Sequence, residues 1–64
     1  MTLNRIKIAR MEKNITQVEL GKLCNVTRQT IGLIESGNYN PTLTLCKNIC
    51  KALDKTLDEL FWEA

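Results

Sequence analysis

Gln29, Gly32 and Leu33 stand three and four residues apart in NVTRQTIGLIESG, residues 25 to 37, so a helix here carries all three on one side. Ile31 and Ile34 give that helix its buried side, and Arg28 flanks the outward face at its start. Outward helix faces are ordinarily charged. This one offers a carboxamide, bare backbone and an apolar side chain, the groups needed to meet the donors, acceptors and apolar edges of another molecule.

Catalytic and metal chemistry has little to work with. Histidine is absent, so a nucleophile and its base would have to come from Lys, Asp or Glu pairs that no motif arranges. Cys24, Cys46 and Cys50 are odd in number and lack Cys-x-x-Cys spacing. Cys46 and Cys50 fall one helical turn apart, close enough for two thiolates to share a metal, but further ligands are lacking. They read as small buried hydrophobes of a reducing compartment. The expectation is therefore no enzyme, no cofactor and no metal.

Charge is divided unevenly. Residues 1 to 30 hold Arg5, Lys7, Arg10, Lys13, Lys22 and Arg28 against Glu12 and Glu19, a net +4; residues 31 to 64 hold three lysines against five acids, a net −2. The positive half contains the start of the unusual helix, and a basic half-surface suits a polyanionic partner.

The elements that position these residues follow from caps and periodicity. A chain of 64 residues is one domain, 1–64, with a thin core, because folding at this size buries only about 60% of the unfolded surface. Its 44% hydrophobic and 25% charged residues suit a globular domain rather than a disordered segment. No apolar run approaches the roughly 18 residues of a membrane span. Met1 leads into Asn4, Arg5 and Lys7 without the apolar stretch of a secretory signal, so a cytoplasmic protein is expected.

Five short helices, uninterrupted by repeats, make an all-α fold. The first spans about Asn4 to Lys13, with Leu3, Ile6 and Ala9 on one arc and Ile8 on the opposite side. Thr16-Gln-Val-Glu19 has the form of a capping box and starts the second, which buries Leu20 and Cys24. Asn25 suits the tight turn that follows, since Asn tolerates the left-handed conformation. Thr27 caps the third helix, which ends at Ser36-Gly37. After the turn-rich Asn38-Tyr-Asn-Pro41, Thr42 caps the fourth, with Cys46, Ile49, Cys50 and Leu53 along one face. A second box, Thr56-Leu-Asp-Glu59, opens the last helix, ending in Leu60, Phe61 and Trp62. Gly21, inside helix two, costs about 1 kcal/mol against Ala. It is either a tolerated substitution or the place where helix three's backbone passes close by.

Two charges point inward. Arg10 falls on the Leu3, Ile6 and Ala9 arc, and Glu35 falls beside Ile31 and Ile34. A charge on a buried arc needs a partner, so the two are expected to meet and brace helix three.

Thr16-Gln17, Leu20-Gly21, Asn25-Val26 and Thr27-Arg28-Gln29-Thr30-Ile31, followed by Ile34-Glu35-x-Gly37 and Asn40-Pro41-Thr42-Leu43, resemble the Cro-like phage-repressor helix-turn-helix family over nearly the whole chain. The Thr-Arg-Gln-Thr-Ile and Tyr-Asn-Pro stretches look like its small stand-alone regulators. The resemblance implies a lambda-repressor-like fold with helix three in the major groove of double-stranded DNA. Gln29 can then pair with adenine N6 and N7, and Arg28 can fork onto guanine O6 and N7 or grip a phosphate. Leu33 departs from the polar residue common in the family; it rests against a thymine methyl or makes no base contact. Gln17, at the start of helix two, can face a phosphate. Thr27, Thr30, Asn38, Tyr39, Asn40 and Thr42 are, by the same resemblance, further backbone contacts or helix caps. The Arg10–Glu35 pair is also one the resemblance suggests.

Leu3, Ile8, Phe61 and Trp62 remain once the core is assigned. They close the bottom of a monomer or, as we expect, a two-fold homodimer that sets two copies of helix three about 34 Å apart. A short strand of the terminal segment against residues 1 to 4 or against a second copy stays open. The expected function is a homodimeric repressor on an inverted-repeat operator. The alternatives are an antitoxin or restriction-modification controller of the same fold, or a protein-interaction module that does not grip DNA.

Overall fold

In the computed structural model, residues 5–61 are described. They form five helices, α1 (Arg5–Glu12), α2 (Gln17–Cys24), α3 (Arg28–Glu35), α4 (Leu43–Leu53) and α5 (Leu57–Phe61), with no strand among the described residues. The all-α, five-helix architecture expected from the sequence is thus the one observed. A strand involving residues 1 to 4 lies outside the described residues, as do Leu3 and Trp62.

Threonine hydroxyls set the helix starts. Thr16 accepts from the Glu19 amide at 3.1 Å while Glu19 Oε1 accepts from the Thr16 amide at 2.8 Å, so both halves of the capping box are made. Thr56 and Glu59 repeat it at 3.2 and 2.9 Å. Thr27 and Thr42 accept from the amides of Thr30 and Leu45, each at 3.2 Å. Each such cap satisfies one of the amides that a helix start leaves unpaired.

The helix ends use the left-handed region. Asn25 closes α2 at φ 60°, ψ 41°, and its amide and that of Val26 donate back to carbonyls of the last turn. Asn14 after α1 (φ 58°) and Asp54 after α4 (φ 57°) do likewise, and Gly37 follows α3 at φ 80°.

Each helix turns one stripe into a common core: Ile6 and Ala9; Leu20 and Cys24; Ile31 and Ile34; Leu45, Ile49, Cys50 and Leu53; Leu60. Leu20, Ile31, Ile49 and Leu53 are fully enclosed. On α4 the sequence expectation needs one correction. Leu45 rather than Cys46 completes the buried stripe, because Cys46 faces the loop before α4, its Sγ 4.0 Å from the Pro41 carbonyl, and stays half-buried. Helix α2 packs on both α3 and α4, and α5 packs on α4 and α1. That return of α5 holds Phe61 half-buried against the core.

Gly21 is where α2 meets the turn into α3. A Cβ there would lie 2.7 Å from the Val26 carbonyl oxygen and 3.3 Å from the Thr27 carbonyl carbon. Both are backbone atoms, so the close approach is possible only because no side chain is present.

Candidate nucleic-acid interface

The carboxylate of Glu35 fixes the end of α3. It is 4% exposed and receives Arg10 Nε at 2.7 Å, Arg10 Nη2 at 3.3 Å and Gln17 Nε2 at 3.1 Å. Arg10, 11% exposed, gives its remaining Nη1 to the Ile15 carbonyl at 2.9 Å. One guanidinium thus ties α1, the α1–α2 turn and α3 together. The parallel two-nitrogen geometry is the strong form of such a pair, and buried charges are tolerable only when so completely hydrogen-bonded.

Gln17 differs from its expected role in one respect. Its side-chain nitrogen turns to the buried carboxylate rather than outward, because Glu35 has lone pairs left to satisfy. What α2 still offers outward is its backbone, since the amides of Gln17 and Val18 precede any intrahelical acceptor. These border a groove of about 550 Å³ whose rim includes Thr16, Gln17 and the exposed Arg28. A guanidinium beside free amides is an arrangement suited to a phosphate oxygen.

On α3, Arg28 and Gln29 are exposed, Thr30 and Gly32 are half-buried, and Leu33 is 38% exposed. The Thr27 and Thr30 hydroxyls share a hydrogen bond at 3.0 Å, so capping orients both. At the far end the Leu33 carbonyl accepts from Ser36 Oγ at 3.0 Å and from the Asn38 amide at 2.9 Å. Asn38 Nδ2 in turn donates to Ser36 Oγ at 3.0 Å. Asn38, Tyr39, Asn40 and Thr42 are all exposed along the α3–α4 connection, Tyr39 at 43%. The structure therefore strings Thr27, Arg28, Gln29, Leu33 and this loop along one continuous stretch of chain, with Gln17 packed alongside through Glu35.

The residues assigned to a partner copy are more scattered. Ile8 is 56% exposed and Phe61 is partly covered by its own chain, while Leu3 and Trp62 fall outside the described residues. Ile8 lines a shallow groove of about 300 Å³ between α1 and α5, beside Leu60 and the exposed Glu12–Lys55 contact of 3.8 Å. Met11, Leu23 and Leu43 are also well exposed, which helical periodicity alone does not separate from core positions.

Burial pushes the thiols of Cys24, Cys46 and Cys50 up from their ordinary value, and at Cys50 the neighbouring Cys46 and Glu59 add to it. That direction favours the protonated thiol over the nucleophilic thiolate. No helix among the described residues is long and apolar enough to cross a membrane.

A two-helix unit with a left-handed Asn between its members, an Asn-Pro loop behind it and an outward face free of acids defines the helix-turn-helix class. Residues 6–60 match the helix-turn-helix family model, and the chain belongs to that family of transcriptional regulators, which act on DNA rather than as enzymes. It is 41% identical over 59 residues to an uncharacterized HTH-type transcriptional regulator, YgzD, of Bacillus subtilis, covering 92% of this chain and 89% of that one. An uncharacterized HTH-type transcriptional regulator of Methanocaldococcus jannaschii is 40% identical over 58 residues, covering 91% and 88%. The immunity repressor protein of Bacillus phage phi105 is 39% identical over 49 residues, covering 77% of this chain and 34% of that protein.

Proposed function

We propose that the protein is a cytoplasmic, sequence-specific repressor that occupies an inverted-repeat operator as a homodimer. The observation that carries this reading is the outward face of α3, where Gln29 stands exposed on a helix locked in place by Arg10 and Glu35. In this reading Gln29 pairs with adenine, and Arg28 contacts a guanine or a phosphate. The α2 amides of Gln17 and Val18, with Thr27, Thr30, Asn38, Tyr39, Asn40 and Thr42, grip the sugar-phosphate backbone and set the register. Two copies related by a two-fold axis through Ile8 and the chain ends, where Leu3, Phe61 and Trp62 lie in the sequence, present their α3 helices to successive major grooves. Similarity to a phage immunity repressor supports repression by occupancy.

Selection of duplexes from a random pool tests the reading. An enriched motif with two inverted half-sites about one helical turn apart is expected. Affinity falls with salt, log K dropping by about 0.9 per phosphate neutralised, and Gln29→Ala relaxes base choice at a cost of about 1–3 kcal/mol. Recovery of no motif, or of one without two-fold symmetry, refutes the operator model.

A further inference from the structure

The thiols take no part in the proposed DNA interface, and two of them are placed together. Cys46 and Cys50 lie one turn apart on α4, a spacing that sets Cβ atoms about 5–6 Å from each other on one helix face. Cys50 is buried and Cys46 half-buried, so the pair runs from the core to the edge of the domain beside Pro41. A thiolate at Cys46 opposes ionisation at Cys50, which places the two sulfurs within electrostatic reach of each other. Both are free thiols, and the Cys46 sulfur makes only a weak contact, 4.0 Å from the Pro41 carbonyl oxygen.

Which ion two thiolates can hold depends on its coordination number. A structural zinc takes four ligands, and no group of three or more His, Cys, Asp or Glu able to hold a metal occurs among the described residues. Copper(I) is soft, prefers thiolate sulfur and is satisfied by two of them on opposite sides. At metal–sulfur distances of about 2.3 Å, sulfurs facing each other across one ion are about 4.6 Å apart, a span that successive turns of a helix can supply. We propose that Cys46 and Cys50 form a two-coordinate site for copper(I). Binding replaces two S–H bonds by two Cu–S bonds, releases two protons to solvent and transfers no electron. Cys50, enclosed by the core, is the fixed ligand, and Cys46 turns away from Pro41 to complete the site.

The test uses the reduced full chain, kept free of oxygen, and copper(I) supplied as its coloured complex with bathocuproine disulfonate. Each chain should withdraw one ion, read as loss of that colour, with no copper-dependent change of mass by light scattering. Losing one of two linked ligands removes the gain of chelation, so Cys46→Ser and Cys50→Ala should each hold copper at least about 100-fold more weakly. Melting curves verify that the variants fold, and the half-buried position of Cys46 makes Cys46→Ser the deciding one. Cys24→Ala should bind as wild type, and excess zinc(II) should leave the copper in place. No withdrawal of copper, association of chains on adding it, full affinity in Cys46→Ser, an equal loss in folded Cys24→Ala, or displacement by zinc overturns the inference. None of these outcomes bears on the operator reading, which uses other residues.

Discussion

Two glycines lie inside helices that face one another, and replacing them should have opposite results. At Gly32 an added Cβ meets nothing nearer than Gln17 Nε2 at 3.8 Å, an ordinary contact, and the residue has a helical backbone. Gly32→Ala therefore recovers helix propensity and lowers the entropy of the unfolded chain without a steric penalty, a gain of about 0.5–1 kcal/mol. For a domain of this size each kcal/mol moves the melting temperature by about 4–8 °C. At Gly21 the same atom would sit 2.7 Å from a backbone oxygen, with the Arg28 amide nitrogen a further neighbour at 3.4 Å. Gly21→Val must push the α2–α3 turn away, at a cost of about 2 kcal/mol or more. Thermal unfolding followed by circular dichroism at 222 nm, on wild type and both variants at one concentration, reads both effects. The reasoning fails if Gly32→Ala melts below wild type, or if Gly21→Val melts at or above it.

Further perturbations separate the other contributions. Arg10→Met strands the Glu35 carboxylate and should cost about 3–5 kcal/mol in chemical denaturation, most of it recovered in Arg10→Met with Glu35→Leu; a single variant as stable as wild type would show the pair contributes nothing. Asp54 places a carboxylate at the negative end of α4 in a left-handed conformation, so Asp54→Gly should raise stability by about 1 kcal/mol, seen as a higher denaturation midpoint at unchanged slope. The Glu59 carboxyl is held below its ordinary value chiefly by the Thr56 amide it accepts from. A depressed carboxyl stabilises the fold at neutral pH and loses that contribution as pH falls through its folded value. Glu59→Gln, which keeps an acceptor without a proton to gain, should flatten this part of the melting temperature against pH profile; an unchanged acid limb would rule the box out as a source of acid sensitivity.

The parts of this fold that can be read from the chain are those set by spacing within one turn. Thr16 and Glu19, Thr56 and Glu59, and the Thr27 and Thr42 caps are three-residue relationships, and the hydroxyl, carboxylate and amide that make them are neighbours in sequence as well as in space. The inward bearing of Arg10 and Glu35 follows from helical period in the same way. What spacing does not carry is the distance between elements. Gln17 reaches Glu35 across eighteen residues of chain, a contact that only the packing of α2 on α3 creates. Leu45 displaces Cys46 from the core because the Pro41 loop, not another helix, lies over the cysteine. Phe61, surplus by composition, is drawn against the core once α5 folds back on α1 and α4. Within the candidate interface, the outward face of α3 was legible because it lacks the charges a solvated face carries, whereas the side-chain bonds from Ser36 Oγ to the Leu33 carbonyl and from Asn38 Nδ2 to Ser36 Oγ depend on rotamers no pattern encodes.

The Arg10 guanidinium, joined at once to Ile15 and Glu35, has a dynamic consequence. An eight-residue helix such as α3 has no standing of its own in water, and its last turn is chained to the first helix of the domain. Fraying of that last turn would require the chain to open, so the amide protons hydrogen-bonded there should exchange with solvent more slowly than those at the start of α3. The surface proposed to read DNA is consequently ready-made, without an ordering step upon encounter, and any lesion that loosens the body should lower the fraction of molecules competent to bind.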